Sequence, residues 1–90
     1  MNILKEANKI VNERAEEKER QYGNFITCMQ KTARLASEFS NKTITTTDAY
    51  NVLIALKMSR QSNTHKEDNL LDAVAYIGSL NEFLNKKQND

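Results

Sequence analysis

The 90-residue sequence contains no proline or tryptophan, and it has only two glycines and one cysteine. Proline and glycine are the usual residues of turns and strand ends, so their scarcity argues against a β-rich fold. The single cysteine, Cys28, cannot form an internal disulfide, so no covalent cross-link supports the small core of a chain of this size. We therefore expect the fold to be completed by association with further copies of itself.

An excess of charge of one sign is also lacking, because 13 basic residues face 12 acidic ones and the formal net charge is +1. Non-specific contact with a nucleic-acid backbone needs a basic excess, so this class of function is excluded. No apolar run approaches the ~20 residues that span a bilayer. The first residues include Lys5, Glu6 and Lys9, where a signal peptide has an unbroken apolar segment. The sequence predicts a cytoplasmic protein with no membrane partner.

Hydrophobic residues recur at helical spacing along almost the whole chain, which predicts a single all-α domain resembling a compact four-helix bundle. Gly23 is a natural helix stop, and Asn24 can cap the helix that follows. A threonine three positions before an acidic residue is a capping signature, and Thr45 and Thr64 open the last two helices in this way. The helices are predicted at 3–21, 24–41, 46–61 and 65–85, with a frayed tail at 86–90.

The fourth predicted helix carries a polar stripe. At about 100° per residue, five of its polar side chains fall within or beside one narrow sector: His65, Asp68, Asn69, Asp72 and Tyr76. A solvated helix face is the commoner meaning of such a stripe, and a binding surface is the alternative. Leu71 lies outside the main apolar sector, so we expect this helix to be covered on more than one side. Part of the stripe then belongs to a buried or interfacial polar network.

The third predicted helix carries two cations near its C-terminal end, Lys57 and Arg60. They are three residues apart and share one face, and the helix dipole alone favours cations there. A short connection folds the next helix back antiparallel and brings both near His65, Asp68 and Asp72. Lysine and arginine are the usual partners of phosphate, and arginine can hold two oxygens at once. The sequence therefore indicates a candidate phosphate site.

A second candidate lies at the first turn between helices, at Tyr22 and Gly23. The glycine lets the backbone approach a ligand closely, and the free N–H groups that open the next helix form a modest anion site. Tyr22 can stack on a base, although tyrosine more often packs its ring in the core and exposes its hydroxyl to solvent. The mixed acidic and basic run at 13–20 is typical of solvated helix surface.

Four separated motifs lie between Arg20 and Tyr76, within a resemblance that extends over roughly 3–80. They are Arg20-x-Tyr22-Gly23-Asn24, then Ile44-Thr45 before Asp48-Ala49, then Leu56-Lys57-x-x-Arg60, and last His65 followed by Asp68-Asn69-x-x-Asp72-x-x-x-Tyr76. Together they resemble a family of small phage and prophage proteins known only as a domain of unknown function. This resemblance implies a phage origin and no established activity.

Acidic residues also group in two places, which are Glu13, Glu16 and Glu17 in the first predicted helix and Glu67, Asp68 and Asp72 in the fourth. This arrangement is similar, in part and more distantly, to the all-α nucleotide pyrophosphatases of the MazG kind, which assemble as dimers or tetramers. Those enzymes use two acidic motifs on neighbouring helices to hold magnesium together with substrate phosphates. The resemblance implies magnesium as a cofactor if the protein is an enzyme.

Three functions stay open. The leading hypothesis needs neither catalysis nor a cofactor: the protein binds a nucleotide or cyclic-nucleotide signal at a subunit interface and sequesters it from host defence. Tyr22 or Tyr76 then stacks on the base, and Lys57 and Arg60 neutralise the phosphate. Asp72 accepts a hydrogen bond from the base or ribose, or orients Arg60. The second hypothesis is a magnesium-dependent nucleoside triphosphate pyrophosphatase. The third is a structural or protein-binding module, in which Asp72 and Arg60 form an interhelical ion pair.

Overall fold

A computed structural model of the protein describes residues 2–12 and 24–89. These residues form four helices and no strand: α1 (Ile3–Asn12), α2 (Phe25–Ser40), α3 (Thr46–Asn63) and α4 (Glu67–Asn89). The prediction of a compact all-α, bundle-like fold is confirmed. None of the described helices combines the length and the hydropathy that are needed to cross a bilayer.

Two helix starts that the sequence marks with a cap are formed as predicted. The Asn24 side chain accepts a hydrogen bond from the Ile26 N–H at 2.8 Å and opens α2. At the start of α3, Thr45 Oγ1 accepts from the Asp48 N–H at 3.0 Å, and Asp48 Oδ2 accepts from the Thr45 N–H at 3.0 Å. These bonds satisfy N–H groups that have no partner within the helix, which fixes where each helix begins.

The start of α4 differs from the prediction. Thr64 does not directly precede α4, which begins at Glu67; its N–H donates to the Arg60 carbonyl at 3.1 Å and closes the last turn of α3. Since α3 runs on to Asn63, two residues past its predicted end, Thr64 is used at the end of one helix and not at the start of the next. The fourth helix therefore begins at Glu67, and His65 lies in the connection.

The ends of α2 and α4 also have identifiable causes. Asn41 has a left-handed backbone with a φ of 57°, which stops α2. The Ser37 hydroxyl then holds the returning chain, accepting from the Ile44 N–H at 2.9 Å. The last helix runs to Asn89, four residues past its predicted end at 85.

The central helix of the described fold is α4, which contacts each of the other three helices. Leu71 and Ala75 on one of its faces pack against Ala7 of α1. On another side, Leu80 and Phe83 pack against the cluster that α2 and α3 form from Met29, Ala33, Ala49 and Tyr50. The expectation, drawn from Leu71, that this helix is covered on more than one side is confirmed.

The core consists mainly of small side chains. Of the eight buried hydrophobic residues that the structure describes, five are alanines: Ala7, Ala33, Ala49, Ala73 and Ala75. Several large apolar side chains stay exposed, among them Phe39, Leu4 and Val52, which are 84%, 70% and 65% exposed.

Candidate functional site

Two polar contacts join α3 to α4. Lys57 Nζ lies 2.9 Å from Asp72 Oδ2, and the Tyr50 hydroxyl lies 2.7 Å from Ser79 Oγ. The contacts are seven residues apart on both helices, and residue numbers rise along α3 as they fall along α4. The two helices therefore run antiparallel with a constant register across two turns. The predicted antiparallel return of the last helix is confirmed.

The charged contact joins Asp72 to Lys57 and not to Arg60. The predicted ion pair between Asp72 and Arg60 is not formed, because in this register Lys57 occupies the α3 position opposite Asp72, and Arg60 lies one turn further along. The side chains of Lys57 and Asp72 are 17% and 34% exposed. Solvent screens a pair of this kind, so we expect it to contribute no more than about 1 kcal/mol to stability.

Arg60 is exposed in the last two turns of α3, and none of the ion pairs among the described residues involves it. It follows Lys57 by three positions, so the two side chains are neighbours on one side of the helix. We call Lys57 and Arg60 the α3 cation pair. One member is fixed by a carboxylate, and the other has its guanidinium available to an anion.

His65 lies in the connection that follows α3, where the Gln61 side chain bridges the chain. Gln61 Oε1 accepts from the Lys66 N–H at 3.1 Å, and Gln61 Nε2 faces His65 Nδ1. Since an amide NH₂ group only donates, the acceptor in this contact is His65 Nδ1. His65 thus helps to shape the turn beside the α3 cation pair. The sequence predicted Gln61 as the last residue of the helix at 46–61, and this bridging role was missed because no local pattern marks it.

The Tyr76 ring stacks on Phe25, with centroids 5.6 Å apart and an interplanar angle of 3°. Phe25 meets Tyr50 edge to face at 5.9 Å, and Tyr50 lies 6.3 Å from Phe83. These four rings connect α2, α3 and α4. One face of Tyr76 is therefore covered by the protein itself, so a base can stack only on what remains of this half-buried ring. The pairing of Tyr76 with Phe25 was not predicted, because the two residues are far apart in the chain.

Tyr50 and Ser79 form a buried contact that sequence reasoning also missed. Tyr50 is fully buried and Ser79 is 4% exposed. Burial raises the pKa of the Tyr50 phenol, and the hydrogen bond with Ser79 partly offsets this rise. The Tyr50 position follows the apolar spacing of α3, but no sequence signal pairs it with a serine on another helix.

The acidic residues of α4 are not gathered in one place. Among residues 2–12 and 24–89, no three His, Cys, Asp or Glu side chains lie close enough together to hold an ion. Asp72 is paired with Lys57, and Glu67 and Asp68 are exposed in the first turn of α4. Several other predicted site residues lie outside the described residues: Glu13, Glu16, Glu17, Tyr22 and Gly23.

The fold and this contact region define a small all-α domain with a pair of cations where its two longest described helices meet. The chain belongs to the family of the domain of unknown function DUF6378, which matches residues 2–84. The predicted membership of a family known only as a domain of unknown function is thereby confirmed. Neither a curated protein nor a solved structure matches the chain.

Proposed function

We propose that this protein is phage-encoded and binds a nucleotide or cyclic-nucleotide signal at the α3 cation pair, sequestering it from host defence. The observation that carries the proposal is the setting of Arg60, which is exposed, adjacent to Lys57 and without an acidic partner among the described residues. A guanidinium group binds phosphate through two parallel hydrogen bonds, and a second cation beside it increases the attraction.

The contact between Lys57 and Asp72 supports this role. A lysine ammonium has three N–H donors, and Asp72 accepts from it at 2.9 Å. Donors that point away from Asp72 can hold a phosphate oxygen while the carboxylate keeps the ammonium in place. Asp72 is therefore a positioning residue for Lys57 in this proposal, in place of the direct role with Arg60 that the sequence suggested.

Recognition of the base falls to aromatic side chains. Tyr76 follows Asp72 by one turn of α4, and its ring is half-buried against Phe25. Tyr22 stays the alternative stacking residue, with Gly23 beside it. His65 Nε2 can serve as a further donor in the connection, suited to a phosphate or ribose oxygen.

Isothermal titration against linear and cyclic nucleotides tests the proposal. Arg60→Ala should weaken binding about tenfold or more, since a charge-assisted hydrogen bond contributes about 1.5–3 kcal/mol. Arg34→Ala removes an exposed cation from α2 and is the matched control, which should bind within about twofold of the wild type. No binding by the wild type would refute the proposal. Equal losses in both variants would point to non-specific attraction by charge.

The magnesium-dependent pyrophosphatase is the alternative that the MazG resemblance supports. On that hypothesis Lys57 and Arg60 would hold the substrate and Glu67, Asp68 and Asp72 would hold magnesium, which would require these three carboxylates to come closer together than they are here and Asp72 to leave Lys57. Release of pyrophosphate from nucleoside triphosphates, lost in Asp72→Asn, is its test. Turnover that Asp72→Asn retains would remove this metal site.

A structural or protein-binding module is the third candidate, and the two contacts that hold α3 and α4 in one register favour it. On this hypothesis Asp72 serves packing alone, now through Lys57. Asp72→Ala should then lower the melting temperature sharply and affect no small ligand. A stable Asp72→Ala variant with impaired nucleotide binding would count against it.

A further inference from the structure

Asn69 is a buried polar residue whose side-chain amide has no partner in the described fold. It is 8% exposed, and Ser79, the other buried polar residue that the structure describes, is 4% exposed. Ser79 bonds to Tyr50, whereas the hydrogen bonds within residues 2–12 and 24–89 include none from the Asn69 side chain. A buried amide without a partner lowers stability, so an asparagine at such a position indicates a partner that is not part of the fold.

The Asn69 amide can be reached from outside. Among the described side chains, no oxygen or nitrogen is both sealed from solvent and without a hydrogen-bond partner. Since the amide oxygen and nitrogen of Asn69 lack a partner, each retains a small opening to solvent. A side chain that is otherwise buried and open only at its polar end is held in place, and it presents its donor and acceptor to the group that enters the opening.

Asn69 lies beside the residues of the proposed nucleotide site. It precedes Asp72 by three residues, so the two side chains are neighbours on α4, and Asp72 contacts Lys57 at 2.9 Å. At about 100° per residue, Asn69 and Tyr76 point within about 20° of each other, two turns or about 10 Å apart along the helix. A base that stacks on Tyr76 can therefore extend along α4 toward the Asn69 amide.

We propose that Asn69 reads the base of the nucleotide and selects adenine, an inference that rests on the proposed function. A carboxamide carries an acceptor and a donor side by side, and adenine presents the complementary pair, an amino donor at N6 beside the acceptor N7. Hypoxanthine and guanine carry an oxygen in place of that amino group, so they present two acceptors and only one of them can pair. Cytosine also offers a donor beside an acceptor, but its single ring spans less of the distance from Tyr76.

Isothermal titration with adenosine and inosine monophosphates, each in linear and cyclic form, tests this selection. The two nucleosides share sugar and phosphate and differ in one group of the base, so charge does not cause a difference between them. The wild type should bind the adenine nucleotide about tenfold more tightly. Asn69→Leu should bind both bases alike. Asn81→Leu removes an exposed amide from the same helix and should keep the wild-type preference.

A second variant and the melting temperature complete the test. Asn69→Ala adds no bulk and should lose the preference as well, which keeps the test valid if leucine does not fit. Without ligand, Asn69→Leu should melt at or above the wild type, since no bonded amide is removed. Melting far below the wild type in both variants would show that the amide is bonded within the fold, which overturns the inference.

The titration separates this inference from the proposed function. Equal binding of the two bases by the wild type, or a preference that both Asn69 variants keep, overturns the role of Asn69 and leaves nucleotide binding in place. A wild type that binds none of the four nucleotides refutes the proposed function, and the selection of adenine with it.

Discussion

Lys57 meets Asp72 two helical turns from the buried hydrogen bond between Tyr50 and Ser79, at the same register of the same two helices. One contact is charged and partly open to water, and the other is neutral and buried. Each fixes α3 against α4, but they should respond differently to substitution, salt and pH.

The buried contact should show strong coupling between its two hydroxyl groups. Tyr50→Phe and Ser79→Ala each leave one buried hydroxyl without its partner, so each should lower the free energy of unfolding by about 1–2 kcal/mol. The double variant removes both groups and should lose less than the sum of the single losses. Urea denaturation of the four proteins measures this coupling. Strictly additive losses would contradict it.

Alkaline pH should destabilise the protein through Tyr50. Burial raises the pKa of this phenol above its ordinary value of 10.0, so the unfolded chain releases the proton at lower pH than the folded one. The contribution of the protonated Tyr50 phenol to stability is fully present below pH 10, and it is lost as pH rises toward the pKa of Tyr50 in the folded protein. Tyr50→Phe should flatten this part of the curve of unfolding free energy against pH, measured relative to the wild type. An unchanged slope in the variant would exclude Tyr50 as the cause.

The charged contact should contribute little to stability at ordinary salt. We expect Asp72→Ala to lower the free energy of unfolding by no more than about 1 kcal/mol, because the pair is partly open to water. This loss should shrink as salt is added. Glu82→Ala removes the carboxylate of the more exposed pair with Lys86 and is the control, with a smaller loss still. A loss of several kcal/mol in Asp72→Ala would support the structural module.

The capping box at the start of α3 should be sensitive to acid. Thr45→Ala should cost about 1 kcal/mol, while Thr43→Ala, at an exposed position before the helix, should cost little. Hydrogen bonds from Thr45 lower the pKa of Asp48 below 3.8. The contribution of Asp48 is therefore present above that pH and is lost as pH falls through the folded pKa. Asp48→Asn should reduce this acid sensitivity in thermal melts, and an unaltered acid limb would contradict the assignment.

Gly78 is a site where a substitution should stabilise the protein. It lies within α4, and a methyl group there would meet no atom within 4 Å. Alanine loses less backbone entropy in a helix than glycine, so Gly78→Ala should raise the free energy of unfolding by about 0.5–1 kcal/mol. A higher melting temperature would agree with this. A lower one would mean that the groove between α1 and α4, which Gly78 lines, closes further in solution.

Local signals in the sequence were sufficient to predict four helices and the caps at the starts of α2 and α3. Asn24, Thr45 and Asp48 act within one turn of their own helix, so their roles follow from neighbours in the chain. The prediction from Leu71 is also local, because it rests on the apolar pattern within its own helix. Thr64 shows the limit of such signals, since it matches a cap and yet closes the preceding helix.

The candidate site was less predictable, because it depends on the register between helices. Both members of the α3 cation pair lie near the place where the third and fourth helices were predicted to meet. A shift of one helix along the other by one turn decides which of the two cations faces Asp72. That register also depends on contacts such as Tyr50 with Ser79, which join residues far apart in the chain. No periodicity within one helix contains this information.

The order of the helices also bears on synthesis. Of the other described helices, α1 packs only against α4, and its apolar stripe meets Leu71 and Ala75. During translation α1 leaves the ribosome well before these partners exist. Its apolar residues therefore stay exposed to water, or bound by a chaperone, until nearly all of the described chain has been synthesised. A nascent chain stalled before Leu71 should remain sensitive to protease at α1, however well α2 and α3 have already formed.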